Sequence, residues 1–274
     1  MIINAQRTLY NVDLYLNIML RKDYKIIANT SLNEKFDILS KVPVPAGVYP
    51  TLQYWAIGTG GNNVIGNTTG FSYSEHTPLD GALFNHVPFI MRPVTDDLTA
   101  LEKSNYRMRK LEIVNDKEYA CYYLKVIPTV NLTTDFYKIV TRQMPDGHKD
   151  SILYLVDMND PSILNPTPRD RRVDINAIDS TIALTKLAKL EFNLSEEEIQ
   201  ELKKVYELKK IERGQITELA ACTGIDNHSL GYAEATCTQV AFFFDIDLDL
   251  TVDINKNGSI NKVLEIGGGE GLIR

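Results

Sequence analysis

The residues able to carry chemistry are few and scattered. His76, His86, His148 and His228 are the only histidines, and none lies in an HExxH, HxH or nucleophile-elbow setting; no GxSxG occurs either. Glu75 beside His76, and the pair Asp96 and Asp97, are acid/base candidates by type, but adjacency along a chain does not bring groups together in space. IGTGGNNVIG, from Ile57 to Gly66, is a glycine-rich loop. It lacks the Lys-Ser/Thr pair that neutralises and orients phosphates, and Asn-Asn-Val-Ile-Gly-Asn is a poor helix start, so a tight turn after a strand accounts for it better than nucleotide binding.

Two acidic stretches could hold a cation. DINKNGSIN places Asp253, Asn255, Asn257 and Gly258 at positions one, three, five and six of a calcium loop, but the bidentate Glu expected at position twelve is replaced by Leu264, with Glu265 one residue late. A hairpin turn between two alternating strands explains the same residues. In DIDLDL, Asp245, Asp247 and Asp249 would share one strand face, where carboxylates can converge on a metal; the commoner outcome is a solvated face, or one that discourages edge pairing or meets a partner's basic surface. Cys121, Cys222 and Cys237 are far apart and lack metal spacing, so neither a disulfide framework nor a zinc site is expected. No cofactor is expected.

These residues must be positioned by a β-rich chain. Leu9, Val12, Leu16 and Met19 recur at helical spacing and Ser31 with Glu34 forms a capping box, which predicts a helical N-terminal arm over residues 1–45, ended by Pro43, Pro45, Gly47 and Pro50. TLQYWAIG, PFIMRPV, YRMRKLEIV, EYACYYLKVIPTV and DSILYLVDM then read as strands between Gly, Pro and Asn-Asp clusters. LSEEEIQELKKVYELKKIERG predicts a surface helix near 195–213, with Ser195 as N-cap, Glu198 closing the box, Ile199, Leu202, Tyr206 and Ile211 as its apolar stripe, and Gly214 beyond its end. Strand character returns in ITELAACTG, EATCTQVAFFFDIDLDLTVDI and SINKVLEI. Alternation from Phe244 to Ile254 sets the apolar residues on one face and the aspartates on the other. The expected fold is therefore mainly β with some α: an antiparallel β-rich body over 46–265, open to division into two lobes near 160–175, and a flexible tail over 266–274.

The 274 residues suffice for a sizeable core. With 36 Asp and Glu against 29 Lys and Arg, the net charge of −7 argues against nucleic acid as the main partner. Neither a basic start with a long apolar run nor a membrane-length apolar segment is present, so no membrane insertion and manufacture in the cytoplasm are expected.

Two stretches carry a resemblance. YWAIGTGGN, with HTPLDGALFNHVPF and EYACYYLKVI after it, is similar to a pattern in tail-associated proteins of tailed bacteriophages; GQITELAACTGID with YAEATCTQVAFFFDIDLD resembles the later strand of such modules. The resemblance covers about residues 52–127 and 214–250. It implies a non-enzymatic virion component of the tail, collar, neck or baseplate, a homo-oligomer that also contacts other virion structural proteins. Leu9, Val12, Leu16 and Met19 on the arm, and Asp245, Asp247 and Asp249, would then be the partner-facing residues. On the arm's apolar stripes alone, deletion of residues 1–45 should leave a folded body that assembles poorly. The competing expectations are a carbohydrate or receptor binder stacking ligands on Trp55, Tyr54, Tyr73 and Tyr122, and a hydrolase with a cryptic carboxylate or metal site.

Overall fold

The computed structural model describes residues 4–64, 71–73, 75–128, 130–143, 147, 149–157, 159, 181–211, 214–246, 252–254 and 258–268. In chain order the elements are β1 (Asn4–Arg7), α1 (Leu9–Leu20), α2 (Leu32–Phe36), β2 (Thr51–Gly58), β3 (Asn62–Val64), β4 (Phe71–Tyr73), β5 (His86–Val87), β6 (Ile90–Pro93), α3 (Ala100–Lys103), β7 (Tyr106–Val114) and β8 (Lys117–Val126). They continue with β9 (Val130–Gln143), β10 (Lys149–Leu155), β11 (Thr181–Leu194), α4 (Glu196–Leu208), β12 (Gln215–Ile216), β13 (Glu218–Asn227), β14 (Glu234–Asp245), β15 (Val252–Asp253) and β16 (Ile260–Gly268). The described strand pairings are antiparallel.

The chain divides into two compact units, residues 1–127 with 192–261 and residues 128–191 with 262–274. The division thus falls at the ends of β8, β11 and the start of β16, not near 160–175. The arm is not a separate unit either. In the first unit an eight-stranded sheet runs β1-β14-β13-β2-β8-β6, with β5 on β2 and β7 on β8. In the second, the order is β10-β9-β11-β16. The long strands β9 and β11 were not expected as a pair: they match at nine positions, with a register shift between Lys186 and Ala188, and their alternation is weakened by interspersed Lys, Thr and Asn.

The core of the first unit is built from Tyr54, Trp55, Ile57, Tyr122, Leu124, Phe192, Phe243 and Phe244, all essentially inaccessible. Trp55 meets Phe192 edge-on, with ring centroids 5.6 Å apart, a favoured aromatic geometry. This burial removes Tyr54, Trp55 and Tyr122 as stacking platforms for a sugar; the Tyr73 side chain lies outside the described residues.

Residues 1–45 contribute to this core. Tyr10, Leu14, Tyr24, Leu32 and Phe36 are buried, and β1 pairs with β14 from Asn4 opposite Asp245 to Arg7 opposite Phe242. Asn33 of α2 acts as a piece of strand, donating from Nδ2 to Ala235 O at 2.9 Å and accepting from Thr238 N at 2.8 Å. Deleting the arm would therefore expose core and strip hydrogen bonds from β14, so a folded body is not the expected product.

Each of α2, α3 and α4 starts with a complete capping box, at Ser31 and Glu34, Thr99 and Glu102, and Ser195 and Glu198. α4 buries Ile199, Leu202, Val205 and Tyr206, but it stops at Leu208, well before Gly214. Lys210 takes the left-handed conformation at φ 53° and Ile211 N reaches back to Tyr206 O at 2.9 Å, which turns the chain out of the helix. On β14 the expected wet and dry faces are absent at the described end: Phe243, Phe244, Asp245 and Ile246 are all buried, because β14 is flanked by β1 and β13 and covered on both sides. The expected hairpin turn at Asn255–Gly258 falls mostly outside the described residues; of the strands on either side, β15 pairs with β12 and β16 lies beside β11. Ile266 is not the start of a loose tail, since it lies in β16 and is buried; residues 269–274 lie outside the described ones.

Candidate functional site

The most deeply buried ion pairs among the described residues are assembled from three distant segments. Asp245 ends β14, Glu218 opens β13, and His76 belongs to the irregular segment before β5. The His76 ring nitrogens face a carboxylate each: Nδ1 lies 2.5 Å from Asp245 Oδ1, and Nε2 lies 3.1 Å from Glu218 Oε2. Asp245 Oδ2 also accepts from the His76 backbone N–H at 3.0 Å. Phe84 and Phe243 stack on the two faces of the imidazole, with centroids 4.2 and 4.1 Å away. Burial alone would lower the His76 pKa, but hydrogen bonding and charge from Asp245 and Glu218 outweigh it and raise the value to about 9. His76 is thus an imidazolium held between two acids.

Glu218 carries a second load. Its carboxylate accepts from the backbone N–H groups of Gly60, of Phe84 at 2.8 Å and of Asn85 at 3.4 Å, while Gly61 N donates to Thr217 Oγ1 at 3.2 Å. The glycine-rich loop does cradle an anion, and that anion is the chain's own side chain. Close approach explains the glycines: a Cβ on Gly58 would stand 2.7 Å from Asn85 O, and one on Gly60 would stand 2.5 Å from Phe84 Cβ.

Chemically the arrangement is closed. A general base needs a free lone pair and access to substrate, whereas the His76 side chain has no exposed surface and each ring nitrogen stands against a carboxylate, Nδ1 hydrogen-bonded to Asp245 and Nε2 in charge contact with Glu218. A metal ion would need a space between the ligands, and the carboxylates instead touch the ring. Among the described residues, no group of three His, Cys, Asp or Glu side chains is arranged to hold a metal. The arrangement pins β13, β14, the glycine loop and the segment carrying Phe84 to one another.

His86, ten residues on, is its electrostatic opposite. Burial, with the charges of Lys35 and His76, pushes its pKa down to about 3. It stays neutral, its Nε2 accepting from Leu83 N at 3.1 Å, which puts its proton on Nδ1.

A different surface offers itself to partners. α1 turns Tyr10 and Leu14 inward and leaves Leu9 at 45 %, Leu16 at 46 % and Met19 at 61 % exposure, with Tyr15, Ile18 and Leu20 also exposed. Val12 is half-buried. Three of the four arm residues expected to meet a partner are therefore open to one. Asp245 is not: it is buried on His76 and leaves the partner-facing set. Asp247, Asp249, Asn255 and Asn257 lie outside the described residues. Asp253 sits in β15 opposite Gln215, and its side chain lies outside the described residues.

Of the acid/base candidates, Glu75 is exposed while its neighbour His76 is buried, so the partner of His76 lies 142 positions further on, at Glu218. Asp97 accepts from Tyr122 Oη at 2.7 Å and pairs with Lys103 and Arg109 at 3.0 Å each. Arg107, Asp226 and Glu234 were not singled out by sequence pattern. Arg107 grips Asp226 with two N–H groups at 2.8 and 2.9 Å. Glu234 accepts from Arg109 N at 3.1 Å, Met108 N at 2.6 Å and Ala235 N at 2.8 Å, and so holds the left-handed backbone at Met108, whose φ is 57°. The one signal available was an acidic residue at the start of each of two apolar strands, Glu218 before LAACTG and Glu234 before ATCTQV.

The sequence matches DUF7208, a family of unknown function, over residues 3–272, and the chain belongs to that family. Neither a curated protein nor a solved structure matches the chain.

Proposed function

We propose that the protein is a non-enzymatic structural subunit that associates with copies of itself and with neighbouring proteins. The observation that carries this reading is the second half of α1: Leu16, Ile18, Met19 and Leu20 are exposed large apolar side chains, on a helix anchored through Tyr10 and Leu14 in its first half. Such a face costs solubility unless a partner covers it. The buried Asp245–His76–Glu218 cluster supports the same reading, since its charges are closed to solvent and committed to holding segments together. Placement in the tail, neck or baseplate of a tailed phage rests on the resemblance of the YWAIGTGGN and GQITELAACTGID stretches, and the host-made virion is the location it implies.

Light scattering on the purified protein across a concentration series tests the reading. Growth to a defined oligomer, abolished in Leu16→Asp/Met19→Asp with unchanged thermal unfolding, is the expected result. A strict monomer at every concentration overturns self-association.

A further inference from the structure

We infer that residues 4–20 exchange between copies of the chain, with Arg21 as the hinge: β1 of one copy pairs with β14 of another. The inference rests on the self-association reading and specifies its contact. It starts from how β14 is covered. The outer edge of this strand is not closed by the body of the sheet; it is closed by the N-terminal segment, through the β1 register from Asn4 opposite Asp245 to Arg7 opposite Phe242. Thr8 extends the cover, donating from Oγ1 to Val240 O at 2.6 Å and from its backbone N to Ala241 O at 3.1 Å. Leu9 N donates to Pro78 O and the Tyr10 hydroxyl to Leu79 O, each at 2.8 Å. These contacts are made to backbone groups that every copy presents identically, so exchange preserves them all.

The hinge is equally localised. Arg21 closes α1 in the left-handed conformation, at φ 51° and ψ 43°, a strained choice for a residue with a Cβ. Just beyond it the chain is fastened to its own body: Tyr49 Oη donates to Lys22 O at 2.9 Å, Gly47 N donates to Asp23 Oδ1 at 3.2 Å, and the buried Tyr24 donates to Gln239. Extension at Arg21 would relieve the strain while leaving Lys22 onward in place. The two side chains that α1 buries, Tyr10 and Leu14, lie in its first half; Leu16, Ile18, Met19 and Leu20, next to the hinge, are exposed. In a reciprocal exchange the two hinge connections run past each other, which brings these hinge-proximal apolar ends together and covers them.

Mixing two single variants of the full chain, Arg7→Cys and Phe242→Cys, under mild oxidation tests this, because the two positions face each other in the register. The native thiols Cys121, Cys222 and Cys237 are buried. A covalent heterodimer of the two variants is the expected product. The double variant in one chain, together with the light-scattering mass, separates the readings. An oligomer in which the double variant forms only an intrachain bridge, with no heterodimer from the mixture, overturns exchange and leaves self-association standing; a monomer with the intrachain bridge overturns both. Arg21→Gly tests the hinge without disturbing either contact, since glycine adopts the left-handed conformation freely. It should lower the interchain fraction at least several-fold, and an unchanged fraction overturns Arg21 as the hinge.

Discussion

Raising the pH should unlock the first unit through a single histidine. His76 is held near pKa 9 in the folded protein, against 6.5 for an ordinary histidine. A raised folded pKa means the stabilisation is complete below the unfolded value and disappears as pH climbs through the folded one. Across about pH 7 to 9 the loss works out to about 2 kcal/mol, from the difference in proton binding between the two states. Other groups also titrate there: burial raises the Cys121, Cys222 and Cys237 thiols, so unfolding favours their ionisation as well. A triple variant with His76→Gln, Glu218→Gln and Asp245→Asn retains those thiols and carries no charge in the cluster, which makes it the reference. Urea unfolding of both proteins should show their stability difference moving by about 2 kcal/mol against the wild type between those pH values. A difference flat to within about 0.5 kcal/mol, or a His76 ring signal titrating near its ordinary value by NMR, would refute the ion-pair assignment.

Further expectations concern other buried groups. His86 is depressed to about 3, so its contribution is present above the unfolded value and is lost as pH falls below it, at up to about 1.4 kcal/mol per pH unit; His86→Leu should flatten this acid limb in urea unfolding, and an unaltered limb counts against a buried neutral ring. Gly60→Ala should cost at least about 2 kcal/mol by overpacking against Phe84 and Asn85, whereas a Cβ at Gly47 meets nothing, so Gly47→Ala should cost only about 1 kcal/mol for its positive φ; equal losses in chemical denaturation would contradict the cradle. Asn33→Ala should cost about 3 kcal/mol by stranding Ala235 O, Ile38 O and Thr238 N, and a melting temperature close to wild type would show that α2 does not close the β14 edge.

Local pattern revealed elements better than partners. β7 coincides with the YRMRKLEIV run and β2 with TLQYWAIG, because alternation and β-branched content act within a few residues. The N-terminus of α4 was legible in Ser195 and Glu198 for the same reason. Its end was not: a lysine at positive φ has no compositional mark, while Gly214 offered a false one. β9 and β11 pair across about forty residues of sequence, so neither announces the other. The charge cluster shows the limit most clearly. Glu75–His76 was visible as a neighbouring pair, yet the acids that hold His76 arrive from Glu218 and Asp245, and Asp245 was legible only as one of a row of strand aspartates.

The same limit bears on what a negative charge of −7 means for assembly. A sequence count assigns every carboxylate to the surface by default, where it would repel another copy. In the structure Glu218 and Asp245 share the single positive charge of His76, Asp226 pairs with Arg107, and Glu198 pairs with Lys125 at 2.6 Å. Glu34, Glu102 and Glu198 also close helix N-termini through their capping boxes. These six of the 36 acids are therefore committed to the chain's own backbone N–H groups and cations. The exposed part of α1 from Leu16 to Leu20 carries no charged residue, so two copies can bring these ends together without confronting like charges there, and the cost that net charge alone suggests does not fall on that contact.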